Sequence, residues 1–197
     1  MDEKLLIDCT NNDSINILRD TLCNHLLPIV KSQRAIILLC IGSDRSTGDS
    51  LGPLIGHKLR FLSRDNFFIY GNLEKPVHAK NLCETLEEIN SKYDKPYIIA
   101  IDACLGNVQN IGKICVQEKP ISPGSAVNKN LPSVGDLSIT GIVNISGMLE
   151  FMVLQNTRLN TVMQLAETIS AGIYHSIIKI VGGKKSNTIT NNITKIN

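Results

Sequence analysis

The sequence has few aromatic residues and no strong excess of charge of either sign. Tryptophan is absent, and aromatic residues make up 4% of the 197 residues, which argues against an aromatic platform for stacking nucleic-acid bases. The 20 basic and 18 acidic side chains leave a net charge of +2, whereas a dedicated nucleic-acid-binding domain carries a clustered basic excess. We therefore expect no nucleic-acid partner.

Long apolar segments are also missing. The longest uninterrupted apolar run, residues 35–41, is far shorter than the ~20 residues that span a bilayer. The amino terminus reads Met-Asp-Glu-Lys and lacks the flanks of a secretory signal peptide. The six cysteines include no Cys-x-x-Cys pair and have no histidine at zinc-ligand spacing. These features predict a cytoplasmic protein with free thiols and no membrane partner.

Length and composition favour one globular domain. The residues are 43% apolar and 19% charged, which is typical of a folded chain rather than a disordered one. We expect a single α/β domain over residues 1–181. We expect residues 182–197, which begin Gly-Gly-Lys-Lys and continue rich in Ser, Thr and Asn, to form a disordered tail.

Helical and strand-like patterns alternate along the chain. Apolar residues at helical spacing from Ile15 to Ile29 predict a first helix, capped by Asp13 and ended or kinked by Pro28. A last helix is predicted around residues 162–180, with Asn160 as its cap. The remaining patterns predict strands over residues 35–41, 67–70, 97–101, 112–117 and 137–143, and helices over about 50–62, 82–89 and 147–155.

This alternation predicts a three-layer α/β fold with a mostly parallel sheet. In such sheets, ligands bind beyond the carboxyl ends of the strands, where the strand order reverses. In a flavodoxin-like order that point lies between the strands predicted over 35–41 and 97–101. The loops that follow Ile41 and Ile101 are therefore expected to meet.

Both of these loops carry acids. The first contains Asp44 and Asp49, and Asp102 begins the second. The glycines of the first loop do not make a phosphate cradle, because five residues separate Gly42 from Gly48 and an acid follows. An aspartate at a helix amino terminus would also repel phosphate from the position that attracts it.

Two interpretations of Asp49 and Asp102 remain open on spacing alone. Each could be structural, since aspartate readily caps the backbone N–H groups at the start of a helix or turn. Alternatively, two carboxyl groups that converge in a cleft of low dielectric cannot both ionise easily. One then stays protonated as an acid while the other acts as a base, which suits the attack of water on an amide carbonyl.

Several segments resemble the germination protease of spore-forming bacteria. Residues 47–53, Thr-Gly-Asp-Ser-Leu-Gly-Pro, are similar to its Thr-Pro-Asp-Ala-Leu-Gly-Pro segment, and residues 99–103 resemble its second acidic strand end. Residues 123–127, Pro-Gly-Ser-Ala-Val, resemble its Pro-Gly-Ser-Gly-Val loop. Over roughly residues 1–180, including residues 138–144 and 154–159, the chain is still more similar to the YyaC-type sporulation proteins.

The resemblance implies a phosphorylase/hydrolase-like α/β fold that is shared with hydrogenase-maturation proteases. It implies that Asp49 and Asp102 form the catalytic pair of an atypical aspartic protease whose substrates are small acid-soluble spore proteins. In the hydrogenase-maturation proteases, matching acids and a downstream histidine bind nickel. The comparable stretch here, residues 140–151, contains no histidine. We therefore expect no metal and no other cofactor.

Three further residues are predicted to contact the substrate. Ser125 and Asn128 belong to a long loop predicted over residues 119–135, and a Pro-Gly-Ser turn exposes backbone N–H groups that can hold an oxyanion. Asp44 lies at the tip of the first acidic loop. Cys104 is predicted to be a buried thiol, because no histidine can be placed beside it, and His78 is predicted to be a loop residue. The alternative function is a non-catalytic sporulation factor that uses the same fold as a binding surface.

Overall fold

The helices and strands follow the predicted alternation. The structure, a computed structural model, describes residues 4–62, 64–123 and 131–182. The elements in chain order are β1 Leu5–Asp8, α1 Ser14–Lys31, β2 Ile36–Cys40, a 3₁₀ turn Gly48–Ser50, α2 Leu51–Leu59, β3 Phe67–Tyr70, α3 Leu82–Lys92, β4 Tyr97–Gly106, a second 3₁₀ turn Val108–Asn110, β5 Lys113–Gln117, β6 Leu137–Ile145, α4 Glu150–Gln155 and α5 Leu159–Val181. Residues 183–197, most of the predicted tail, lie outside the described residues.

Six strands form one mixed sheet in the order β1-β5-β6-β4-β2-β3. The central pairs β2–β3, β2–β4 and β4–β6 are parallel, whereas β5 pairs antiparallel with both β6 and β1. Because β2 lies between the two strands that follow it in the chain, the strand order reverses there. The mostly parallel sheet and its switch point between β2 and β4 confirm the predicted fold class.

Helices cover both faces of this sheet. On one face, α1, α2 and α5 pack against the odd-numbered residues of β4, such as Ile99 and Ile101. On the other face, α3 packs over the opposite side of β2 and over Ala100. Strand β2 is buried along its whole length, as its continuous apolar run predicts. Within the residues that the structure describes, no helix is long and apolar enough to cross a bilayer.

The structure differs from the sequence-based expectations at several boundaries. Helix α1 continues through Pro28 to Lys31, because a proline in the last turn removes only one intrahelical hydrogen bond. The residue that precedes α5 is Arg158, and Asn160 lies inside its first turn. Strand β1 was not predicted; it is four residues long and pairs only with β5.

Candidate active site

Asp49 lies in the 3₁₀ turn between β2 and α2, in a loop that backbone hydrogen bonds hold in place. The N–H of Gly42 donates to the carbonyl oxygen of Val77 at 2.8 Å, and the N–H of Ser43 donates to the carbonyl oxygen of Asp49 at 3.1 Å. Gly42 has φ +140°, and a Cβ there would lie 2.0 Å from that Asp49 oxygen. Only glycine therefore allows the loop to fold back onto the turn.

Asp102 lies inside β4 rather than in the loop after it, which corrects the prediction from sequence. The strand continues to Gly106 because β6 pairs alongside it, with Asp102 opposite Thr140. Side chains alternate along a strand, so Asp102 lies on the same face as Ala100, the face that α3 covers. The Asp102 carboxylate accepts a hydrogen bond from the N–H of Ala103 at 2.8 Å.

The switch point brings the two aspartates together. Ile41, just after β2, donates its N–H to the carbonyl oxygen of Ile101 at 2.8 Å, and the turn that holds Asp49 packs against β4. Both aspartates are half-buried. They are close enough for the charge on Asp49 to act on Asp102.

The two carboxyl groups differ in their acidity. Burial raises the pKa of Asp102 well above its ordinary value, the charge on Asp49 raises it further, and the N–H of Ala103 opposes the shift. Burial also raises the pKa of Asp49, but a hydrogen bond from the N–H of Ser43 and the charge of His78 oppose this shift. An ionised Asp49 therefore favours the protonated form of Asp102.

Neither aspartate makes the capping contact that the alternative interpretation requires. Asp49 lies within the 3₁₀ turn, and the residue that precedes α2 is Ser50, which makes no side-chain cap hydrogen bond. The Ser50 hydroxyl instead donates to the carbonyl oxygen of Thr47 at 2.7 Å. The donors to the two carboxylates, Ser43 and Ala103, do not lie in a helix. The capping interpretation has no support in these contacts.

His78 is a site residue that sequence reasoning missed. It follows Val77, which forms a parallel bridge with Ile41, and this bridge brings His78 beside the Asp49 loop. The His78 Nδ1 atom accepts a hydrogen bond from the N–H of Lys80 at 3.3 Å. A bridge of one residue pair leaves no periodic pattern in the sequence. The sequence showed only that His78 follows an apolar residue.

The donor groups around the two aspartates do not fit the nickel site of the hydrogenase-maturation proteases. In the described part of the chain, no group of three or more His, Cys, Asp or Glu side chains is arranged to hold a metal ion. Within residues 140–151, the stretch that contains no histidine, Asn144 donates through Nδ2 to the Thr157 hydroxyl at 3.2 Å. Asn144 therefore anchors α4 rather than a metal.

The predicted substrate contacts are only partly visible. Ser125 and Asn128 lie outside the described residues, so their roles stay predictions. The two ends of their loop are joined by a bridge between Ile121 and Val134, and Val134 packs with Ala100, two residues before Asp102 on the same face. Asp44 is exposed at the tip of its loop, and its contact with substrate also stays a prediction.

Cys104 lies near Asp102 but is poorly suited to act as a nucleophile. Burial raises the pKa of its thiol to about 11, and a hydrogen bond with Thr140 only partly opposes this shift. At neutral pH the thiolate, which is the reactive form, is therefore scarce.

Helix α4 packs directly against the turn that holds Asp49. A Cβ on Gly48 would lie 2.9 Å from the Leu154 carbonyl oxygen and 2.9 Å from the Thr157 hydroxyl, so glycine is needed for this close approach. The last residue of β6, the loop that follows it and the outer side of α4 carry large apolar side chains that are exposed to solvent. We call this surface the α4 rim; it consists of Ile145, Met148, Leu149, Phe151 and Met152.

Comparisons with known proteins agree with this architecture. The structure is similar to the crystal structure of a [NiFe] hydrogenase maturation protease, HycI from Thermococcus kodakarensis KOD1, with a TM-score of 0.52 and 17% identity over 79% of this chain and 99% of that one. At this identity the similarity shows the fold alone. In sequence, the chain is 49% identical over 140 residues to the uncharacterized protein YyaC of Bacillus subtilis (strain 168), which is 71% of this chain and 68% of that protein. A family model described as "protein of unknown function (DUF1256)" matches residues 6–172, and the chain belongs to that family.

Proposed function

We propose that this protein is a peptidase that hydrolyses a peptide bond with Asp49 and Asp102. The observation that carries the proposal is that the turn holding Asp49 packs against β4, the strand that contains Asp102, so that two half-buried carboxyl groups lie at the switch point of the sheet. The pKa of each group is raised, that of Asp102 well above its ordinary value and partly by the charge on Asp49. Pairs of acids whose environments separate their pKa values are typical of acid–base catalysis. The position at a switch point of the sheet is where such folds bind ligands.

The difference in acidity assigns the two roles. The Asp49 carboxylate takes a proton from a water molecule, and the water oxygen forms a bond to the carbonyl carbon of the substrate. The Asp102 carboxylic acid donates its proton to the carbonyl oxygen, which gives a neutral tetrahedral intermediate. When the C–N bond breaks, the proton on Asp49 passes to the leaving nitrogen and the hydroxyl proton returns to Asp102, so both groups regain their starting states.

The similarity in fold to a hydrogenase maturation protease supports a protease-like scaffold. The resemblance of the acidic loops to the germination protease supports a role in sporulation, with small acid-soluble spore proteins as the substrate class. The six free cysteines fit a reducing compartment, in line with the cytoplasm of a sporulating cell or spore.

A second candidate function is a non-catalytic sporulation factor that binds a protein partner. The exposed apolar side chains of the α4 rim favour it, because contiguous exposed apolar surface marks interaction sites. This function would need the rim but would not need the carboxyl groups.

The test is incubation of the purified protein with small acid-soluble spore proteins and other sporulation proteins, followed by mass spectrometry. Asp49→Asn and Asp102→Asn are the matched controls, since each keeps the shape of the side chain and removes its acid–base function. The proposal predicts defined cleavage products with the wild type and a loss of at least about 100-fold with either variant. Intact substrates over a broad pH range would favour the binding factor, and equal cleavage by the variants would exclude the aspartate pair.

A further inference from the structure

Large apolar side chains are concentrated on the α4 rim. Met148 is 90% exposed and Leu149 is 68% exposed, and about half of Phe151 and of Met152 is in contact with solvent. Scattered exposed apolar residues are ordinary on a protein surface, whereas several of them within eight consecutive residues form a patch that usually has a binding role.

The backbone of the rim is held in a conformation that displays these side chains. Leu149 has φ +58° and ψ +41°, the left-handed region, which costs a residue other than glycine roughly 1 kcal/mol. Its carbonyl oxygen accepts hydrogen bonds from the N–H groups of Met152 at 2.8 Å and Val153 at 3.1 Å. The strained residue thus starts α4, while its own side chain stays exposed. Strain of this kind is concentrated at functional sites.

The rim is also continuous with the candidate active site. The inner side of α4 contacts Gly48 through Leu154 and Thr157, and Gly48 directly precedes Asp49. Ile145, at the end of β6, is paired with Gly106 at the end of β4, the strand that carries Asp102. A polypeptide bound across the two aspartates would therefore meet the rim within a few residues of the bond to be cut.

We propose that the α4 rim binds apolar side chains of the substrate polypeptide next to the scissile bond. This inference rests on the proposed peptidase function and adds the substrate class: an extended or unfolded segment with two or three large apolar residues close to the cleavage point. Met148 and Met152 suit this role because the flexible thioether side chain adapts to apolar groups of different shapes.

The size of the rim favours a peptide over a second copy of the chain. With about 150 Å² for each fully exposed side chain, the low end of the range for aromatic residues, its five residues expose on the order of 500 Å². A stable dimer buries about 800 Å² on each partner. The rim is therefore too small to hold a dimer by itself, but it is large enough for the side chains of a short peptide.

The test measures binding separately from cleavage. The probe is a short synthetic peptide in which serine alternates with leucine and phenylalanine, with charged ends for solubility, and its control has asparagine at the apolar positions. It is added to the Asp102→Asn variant labelled with ¹³C on the methionine methyl groups. We expect the Met148 and Met152 signals to shift when the apolar peptide is added but not when the control peptide is added. The signal of Met163, which is half-buried on α5, should stay constant with both peptides.

Substitutions in the rim give the quantitative test. Because Met148 and Phe151 are exposed, Met148→Gln and Phe151→Gln leave the fold intact, and together they should weaken peptide binding at least about tenfold. The matched control is Leu27→Gln, which changes an exposed apolar residue of α1 on another surface and should leave binding unchanged.

The outcomes separate this inference from the peptidase proposal. Equal shifts with both peptides, or methionine shifts that depend on protein concentration without peptide, would overturn the inference and, in the second case, indicate a contact between copies. If the wild type cleaves a spore protein and the rim substitutions do not slow this cleavage, the inference about the rim is also overturned, while the peptidase proposal stays intact. Peptide binding at the rim without cleavage of any substrate would support the rim as a site for apolar peptides and contradict the peptidase function.

Discussion

Replacing Gly42 with alanine should disrupt the loop that positions Asp49. The new Cβ would lie 2.0 Å from the Asp49 carbonyl oxygen and 3.1 Å from Pro53 Cδ. The first of these atoms belongs to the backbone, so it cannot rotate away as a flexible side chain could. The loop and the 3₁₀ turn must separate, and the hydrogen bond from the Ser43 N–H to Asp49 is lost with them.

The expected loss of stability has two parts. Overpacking in a well-packed region costs about 1–3 kcal/mol, and a φ of +140° adds roughly 1–2 kcal/mol for a residue with a Cβ. We therefore expect Gly42→Ala to lower the free energy of unfolding by about 3 kcal/mol or more. Gly112→Ala is the matched control, because Gly112 also has a positive φ, +84°, but nothing lies within 4 Å of its Cβ position; it should cost only about 1 kcal/mol.

Urea denaturation followed by circular dichroism measures both values. If the two variants lose the same free energy of unfolding, Gly42 does not approach Asp49 as closely as the structure shows. A variant of Gly42 that keeps wild-type stability would contradict the reasoning altogether.

Three further predictions concern the charges and thiols around the site. The pKa of Asp102 is higher in the folded protein than in the unfolded chain. The stability that Asp102 contributes is therefore fully present at a pH below its pKa in the unfolded chain, and it is lost as the pH rises through its pKa in the folded protein. Asp102→Asn should therefore raise the melting temperature at neutral pH. The free energy of unfolding should rise by about 1.4 kcal/mol for each unit by which folding raised the pKa, and an unchanged or lower melting temperature would refute this. His78→Gln should raise the pKa of Asp49 in an NMR titration, because the charge that favours the ionised carboxylate is removed; an unchanged pKa would show that the ring does not act on Asp49. Iodoacetamide at pH 8 should alkylate exposed Cys83 much faster than Cys104, whose thiol pKa is about 11, and equal rates by mass spectrometry would contradict the burial of Cys104.

The sequence predicts those parts of the fold that repeat a periodic pattern. The apolar run over residues 35–41 could only be a strand buried on both faces, and β2 is such a strand. The residues 67–70 form β3 within the predicted bounds. Edges and ends were harder to predict, because β1 has only four residues and its partner β5 comes more than a hundred residues later.

The candidate site was visible in part. The two acids could be found because each follows an apolar strand pattern, and parallel strands bring their carboxyl ends together. The extension of β4 through Asp102 depends on pairing with β6, which no local pattern reveals. His78 and the α4 rim were missed for the same reason: the first is placed by a single bridge, and the second was predicted as a helix without a sign of which side would be exposed.

The most direct test of the account is a carboxyl NMR titration of the wild type, Asp49→Asn and Asp102→Asn. A coupled pair of aspartates should give two separate titration steps in the wild type, with the Asp102 step well above the ~3.9 of a free aspartate. Asp49→Asn should lower the pKa of Asp102, because the neighbouring charge that raises it is removed. If each aspartate titrates near or below its ordinary value and does not respond to the loss of the other, the two groups do not form a pair and the proposed mechanism is wrong.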